Sequence, residues 1–287
     1  MSTTTVKLGL PKGRMQEGVF KLLSDAGIQL RTGSRGYRPS INLGGFEVKV
    51  LKPQNIVEML EAGSRDVGFA GADWVAELNA HVVELVDTTL DPVRLVAAAP
   101  SALLEDGKLP KRTLVVASEY QRLAQDWIAK AGITARFVRS YGATEVFPPE
   151  DADCIIDNTA TGATLVANGL EIVGDVMRSS TRLYANPHAL ENREKREAIE
   201  RLVMLLRSVL EARRRVMLEV NVSQQDLERL VAILPCMREP TVSPLHASRG
   251  YAVKAAVPRE DLPKLIPTIK ANGGTDIVVS SLGQIVP

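Results

Sequence analysis

Short apolar runs of five or six residues alternate with segments whose apolar residues recur every three or four positions, and this pattern restricts the chain to a layered α/β fold. The run at 6–10, VKLGL, is followed by the helical spacing of Val19, Leu22, Leu23 and Ala26. A second run at 46–51 precedes Ile56, Val57, Met59 and Leu60, and a third at 66–70 ends at Gly71 before another helix. Two strands at 82–86 and 93–99 come next, then a polar stretch at 100–111 without helical period. The alternation restarts with strands at 113–117, 135–138 and 153–157 and a helix at 120–131. The expectation is two lobes, each a mostly parallel sheet covered by helices. Sites belong at the carboxyl ends of the strands and in the cleft between the lobes.

The longest helical pattern lies at 191–218, with Ile199, Leu202, Val203, Leu206, Val209 and Leu210 as its apolar stripe. After it the order becomes strand 216–222, helix 224–234, strands 241–245 and 250–257, helix 258–271 and strand 275–280. That β-α-β-β-α-β order is ferredoxin-like, and a small domain of this kind behind a larger body suits metabolite sensing or oligomerisation. We therefore divide the chain into a first lobe at 1–90 and 185–215, a second lobe at 91–184, and a tail domain at 216–287.

At 287 residues the chain has room for two or three such units. A formal charge of +1 gives no field that would gather nucleic acid or membrane lipid. Cys154 and Cys236 form no C-x-x-C, and His81, His188 and His246 lack zinc-ligand spacing, so packed thiols and loop histidines are expected. No apolar run reaches the roughly 18 residues of a membrane span, and the polar start passes straight into a strand. A cytoplasmic protein is the expectation.

One loop carries chemistry. The apolar run Cys154-Ile155-Ile156 leads into Asp157, Asn158, Thr159, Ala160, Thr161, Gly162, Ala163 and Thr164, ahead of a short helical pattern. Small side chains, hydroxyls and a helix start leave backbone N–H groups free to converge on an anion. Asp157 at the strand end is placed to accept hydrogen bonds from neighbouring hydroxyls, so the loop suits a sugar carrying a phosphate. An ordinary strand-to-helix turn with a threonine cap fits the same residues.

Several segments are informative together: Leu10-Pro11-Lys12-Gly13-Arg14, Gly68-Phe69-Ala70-Gly71-Ala72-Asp73, Ala143-Thr144-Glu145-Val146, the loop through Leu165, and Asn168-Gly169-Leu170. In order and spacing they resemble the ATP phosphoribosyltransferase family, the first enzyme of histidine biosynthesis. The tail, with Pro240-Thr241-Val242-Ser243-Pro244-Leu245, resembles the regulatory domain of the long form. One position departs from the family pattern, where Asn158 replaces a usually aliphatic residue.

The resemblance implies a two-lobed, periplasmic-binding-protein-like catalytic body with a C-terminal ferredoxin-like (ACT-like) regulatory domain. It implies that N1 of ATP attacks C1 of 5-phosphoribosyl 1-pyrophosphate with Mg²⁺ present, the metal held mainly through substrate oxygens and water. Thr161, Gly162, Ala163 and Thr164 would bind the 5-phosphate and Asp157 the ribose hydroxyls, with Asn158, Thr159 and Ala160 completing the loop. Glu145 would help hold the ribose or metal, and Lys12, Arg14 and Lys52 would neutralise phosphates. Gly71 would let a ligand approach the backbone, with Asp73 beside it or capping its helix. L-Histidine would inhibit from the tail, where Asn272, Gly273, Gly274 and Thr275 form the candidate turn, and the chain would form a homohexamer interconverting with dimers.

Two other readings compete. Prephenate dehydratase also joins a two-lobed body to a ferredoxin-like domain, but needs a Thr-Arg-Asp-Thr-like element that is missing here. The non-enzyme alternatives are a two-lobed small-anion sensor and a catalytically impaired regulatory relative.

Overall fold

The computed structural model describes residues 4–31 and 36–286. The chain divides into two compact units. The first runs to Glu200 without the short turn Asp25–Gly27; the second comprises that turn and everything from Arg201 onward. The division falls inside a helix, upstream of the boundary at 216 expected from the sequence.

In the first unit, β1 (Val6–Pro11), α1 (Arg14–Asp25), the short β2 (Leu30–Arg31) and β3 (Ser40–Ile41), β4 (Phe46–Leu51), α2 (Pro53–Glu61), β5 (Val67–Gly71) and α3 (Ala72–Leu78) form lobe I. A long strand, β6 (Val83–Pro100), leaves it. Lobe II follows as β7 (Leu114–Ser118), α4 (Gln121–Ala131), β8 (Ala135–Arg139), β9 (Cys154–Thr159) and α5 (Ala163–Ala167). A second long strand, β10 (Leu170–Ala185), returns to lobe I before α6 (Pro187–Glu191) and α7 (Arg193–Arg214).

One sheet runs through both lobes in the order β4-β1-β5-β10-β6-β9-β7-β8. Its outer pairs are parallel, as the alternation predicts, but β5/β10, β10/β6 and β6/β9 are antiparallel. The expectation of a mostly parallel sheet is thus corrected at the centre, where the two connecting strands lie. The two strands expected at 82–86 and 93–99 are one. They look separate in sequence because the polar segment between them carries positive φ at Thr89 and Asp91, a bulge that lets the strand change lobes without ending. The sequence reading does not anticipate β10. Register shifts between Ile172 and Gly174, Asp175 and Met177, and Ser179 and Thr181 break the alternation that would announce a strand.

Each lobe is completed by a strand from its neighbour. The later part of β10, Thr181–Ala185, pairs with β5 on one side and β6 on the other, whereas Arg94–Ala98 of β6 lies between β9 and β10. Counting strands within each lobe, both show the same second-first-third order followed by the two connectors. The lobes are also joined through a helix cap. Glu77 on α3 is buried, and its Oε1 and Oε2 accept the N–H groups of Arg122 and Leu123 at 3.1 and 3.0 Å, in the first turn of α4. These donors have no partner within their own helix, and the carboxylate also meets the positive end of the helix dipole. Glu77→Ala is expected to destabilise the first unit by about 2 kcal/mol, lowering its thermal midpoint by about 4–8 °C in a calorimetric scan.

In the second unit, β11 (Arg215–Val222), α8 (Leu227–Ile233), β12 (Thr241–Pro244), β13 (Tyr251–Pro258), α9 (Leu262–Ala271) and β14 (Thr275–Ser281) form a four-stranded sheet ordered β12-β13-β11-β14 with every pair antiparallel. That is the ferredoxin-like topology. Val216, Leu218, Val220 and Val222 alternate along β11 toward Leu230, Leu265 and Ile269 of the helices, which is why this strand was legible from its period of two.

Candidate active site

The loop expected to cradle phosphate joins β9 to α5 at the carboxyl end of the strand. Gly162 takes φ +82°, a conformation that favours glycine, and starts the short helix. Its N–H donates to Thr159 Oγ1 at 2.8 Å, and the N–H of Ala163 donates to Thr161 Oγ1 at 3.3 Å. The two threonine oxygens hold the turn open while their hydroxyl hydrogens remain available to a ligand. Ala160, Thr161, Ala163 and Thr164 are exposed.

A cleft of about 310 Å³ brings this loop together with residues distant in sequence. Asp157, Asn158, Thr159, Ala160, Thr161 and Thr164 line it with Arg14 from α1 and Glu145. Glu145 reaches it from a tight turn, Thr144–Val146, that begins at Ala143 with φ +49° and is pinned by a 2.7 Å hydrogen bond between the hydroxyls of Ser140 and Thr144. Asp157 Oδ1 accepts the N–H of Asn158 at 2.7 Å. Burial pushes the Asp157 carboxyl up to about 6; the Asn158 N–H opposes this, the nearby Glu145 and Glu119 carboxylates add to it, and Arg14 opposes it. Two carboxylates facing this cleft, Asp157 and Glu145, with the Glu119 charge close enough to act on Asp157, create a negative potential suited to sugar hydroxyls and to a developing positive charge. Arg14 at the rim suits a phosphate.

Lys12 and Lys52 stand at the ends of the adjacent parallel strands β1 and β4, and neither lines this cleft. The Lys12 N–H donates to Leu51 O at 2.8 Å, and its ammonium lies 5.8 Å from the centroid of the Tyr37 ring. Gly71 and Asp73 are buried. The space over Gly71 is taken by Asp73 itself, since a Cβ on Gly71 would come within 2.1 Å of Asp73 Oδ1. The Asp73 carboxylate does not cap its helix. It accepts the Ser179 hydroxyl at 2.6 Å and the Tyr120 hydroxyl at 2.6 Å, and Tyr120 in turn accepts Asn158 Nδ2 at 3.1 Å. Burial first, and the Asp73 charge second, hold the Tyr120 hydroxyl far above its ordinary range, so it stays a phenol.

Sequence reasoning missed Tyr120, Glu119 and Ser179. The first two follow β7 at its carboxyl end, a position that could have flagged them; Ser179 sits in the unanticipated β10. Among the described residues no group of three or more His, Cys, Asp and Glu side chains could hold a metal ion, and no helix is long and apolar enough to cross a membrane. Cys154 is packed in the sheet, where burial pushes its thiol up to about 12.

In the tail turn, the N–H groups of Asn272, Gly273 and Gly274 donate back to carbonyls of residues 268–270, so they end helix α9 and are already engaged. Thr275 Oγ1 contacts Asn221 O at 3.4 Å and Asp276 Oδ2 at 3.1 Å.

The family model for ATP phosphoribosyltransferase matches residues 52–208, and the model described as the HisG C-terminal domain matches residues 212–284. This chain belongs to the ATP phosphoribosyltransferase family. The ATP phosphoribosyltransferase of Pelotomaculum thermopropionicum is 37% identical to it, across 98% of this chain and 99% of that one. The enzyme of the same name from Chlorobium phaeobacteroides is 34% identical across 98% and 97%. A solved ATP phosphoribosyl transferase (HisG:HisZ) complex from Thermotoga maritima contains a chain that superposes with a TM-score of 0.65 at 25% identity. It covers 72% of this chain and 99% of its own. This is a long-form member, an enzyme of histidine biosynthesis acting on ATP and 5-phosphoribosyl 1-pyrophosphate.

Proposed function

We propose that the cleft lined by the Asp157 loop, Glu145 and Arg14 binds 5-phosphoribosyl 1-pyrophosphate and presents its C1 to N1 of ATP. The observation that supports this most directly is the convergence of a phosphate-type loop, carboxylates and an arginine on one cavity from both lobes. Hydroxyls of Thr161 and Thr164 and the loop backbone hold the 5-phosphate, and Asp157 accepts the ribose hydroxyls. As the bond to pyrophosphate lengthens, positive charge grows on the ribose ring while negative charge grows on the leaving group. Asp157, Glu145 and Glu119 stabilise the first, and Arg14, with Lys12 and Lys52 toward the neighbouring strand ends, the second. Positioning and electrostatics suffice, and no covalent nucleophile is needed.

The carboxylate-rich cleft fits Mg²⁺ delivered on the pyrophosphate oxygens and water, where it would neutralise the leaving group. L-Histidine would act through the second unit by binding one assembly state better than another, the assembly being a hexamer that exchanges with dimers. At the Asn272–Thr275 turn the N–H groups of residues 272–274 already end helix α9 and the Thr275 hydroxyl already has acceptors, so recognition of the amino acid there would fall to other polar side chains nearby. The place of work is the cytoplasm.

The test is formation of phosphoribosyl-ATP by the purified chain alone from the two substrates and Mg²⁺. Product that falls when L-histidine is added supports both parts of the reading. Product insensitive to L-histidine removes the sensing role, and failure to form product while the phosphorylated sugar still binds favours the anion-binding alternative.

A further inference from the structure

A chain of hydrogen bonds crosses between the lobes just beside the reacting site. Ser179 Oγ of the connecting strand β10 and Tyr120 of lobe II both donate to Asp73 of lobe I, at 2.6 Å each. Asn158 Nδ2 donates to the Tyr120 oxygen at 3.1 Å, and Arg14 Nη1, again from lobe I, donates to Asn158 Oδ1 at 3.5 Å. The donor and acceptor roles leave no freedom. The single Tyr120 proton is committed to Asp73, so the phenolic oxygen can only accept from Asn158; arginine can only donate, so it requires the amide oxygen. An inverted amide would set like against like at both ends. The side chain is therefore oriented by two lobe I groups, Arg14 directly and Asp73 through Tyr120, while its own backbone N–H holds Asp157 Oδ1 at 2.7 Å.

We infer that Asn158 is a positioning residue, which ties the orientation of the Asp157 carboxylate to the arrangement of the two lobes. This rests on the reading of Asp157 as the ribose-binding group. In this chain an amide suits both partners, because it alone of the small side chains offers a donor to Tyr120 and an acceptor to Arg14 from one planar group. Leucine, of similar size, offers neither, and aspartate retains the partner for Arg14 but puts an acceptor against the Tyr120 oxygen.

The test compares Asn158→Leu, Asn158→Asp, Tyr120→Phe and the Leu/Phe double variant. Asn158→Leu is expected to lower kcat/KM for 5-phosphoribosyl 1-pyrophosphate by about 10–30-fold, with KM for ATP within about twofold and the thermal midpoint within about 2 °C. Asn158→Asp should not restore it. Adding Tyr120→Phe to Asn158→Leu should lower kcat/KM by less than about twofold more, because both changes break one link. Full activity in Asn158→Leu, or losses that multiply in the double variant, would overturn the inference.

A second measurement does not depend on catalysis. Spin labels at exposed Glu58→Cys on α2 and Lys130→Cys on α4, in a Cys236→Ser background with Cys154 buried, report the lobe-to-lobe distance. Asn158→Leu should broaden that distribution, and an unchanged one counts against a role for Asn158 in joining the lobes. If the unaltered chain makes no phosphoribosyl-ATP, the proposed function fails by itself, and the distance measurement still decides whether Asn158 joins the lobes.

Discussion

Asp157→Asn is expected to give a protein that is more stable than the parent and nearly inactive. The Asp157 carboxyl is held at about 6, chiefly by burial, against an ordinary value of 3.8. A carboxylate whose folded value lies above its unfolded one favours the fold only while protonated, so its contribution is greatest below about pH 4 and is lost as pH rises through about 6. The gap corresponds to about 3 kcal/mol at pH 7, which partial exposure reduces to about 1–2 kcal/mol. The neutral amide removes that penalty, and the thermal midpoint at pH 8 should rise by about 3–6 °C. The gain should shrink between about pH 6 and pH 4 and vanish below. Over the same change kcat/KM for 5-phosphoribosyl 1-pyrophosphate should fall by about 100-fold or more, because the amide neither accepts two ribose hydroxyls nor opposes positive charge. Paired calorimetry and initial rates check both halves. An active Asp157→Asn, or one less stable than the parent at pH 8, would count against the assignment. The parent itself should lose kcat/KM as pH falls below about 6.

Gly71→Ala should damage stability and catalysis together. The added Cβ would meet Asp73 Oδ1 at 2.1 Å and the Met15 Cε at 3.1 Å. The carboxylate can yield only by releasing Ser179 and Tyr120, and each released group stays buried. About 2–4 kcal/mol of destabilisation is expected, and kcat/KM should fall about tenfold or more as Tyr120 loses its anchor. Gly44→Ala, where a Cβ would meet nothing within 4 Å, is the control and should stay within about 0.5 kcal/mol of the parent. Urea unfolding of both variants checks this; equal stability in the two would sink it.

How far the sequence could be read depended on whether a pattern was local. Strands β1, β4 and β5 and their helices are legible because each repeat of hydrophobicity sits inside one element facing one core. In β6 and β10 each strand serves two cores in turn, so the buried face changes partway and bulges shift the register. The tail was legible through to its topology, because β11 keeps one face toward the helices throughout. In the site, the loop from Asp157 to Thr164 is contiguous and could be recognised, and so could Arg14 and Glu145 through their motifs. Tyr120, Ser179 and the part Asn158 plays between Tyr120 and Arg14 are relations between segments some 40 to 140 residues apart. No spacing rule in one dimension encodes them. Gly71 illustrates the difference: from sequence it is a strand-end glycine expected to let a ligand approach the backbone, whereas the space beside it is filled by the neighbouring Asp73 carboxylate.

The exchange of β6 and β10 makes the two lobes inseparable as units of inheritance. A gene fragment ending before β10 would encode a lobe I sheet with β5 left as a raw edge, and a fragment starting after β6 would leave β9 bare. Such edges recruit other chains. Recombination can therefore swap or trim the tail, whose sheet is self-contained, but it cannot trade one lobe for another without carrying half of its neighbour along.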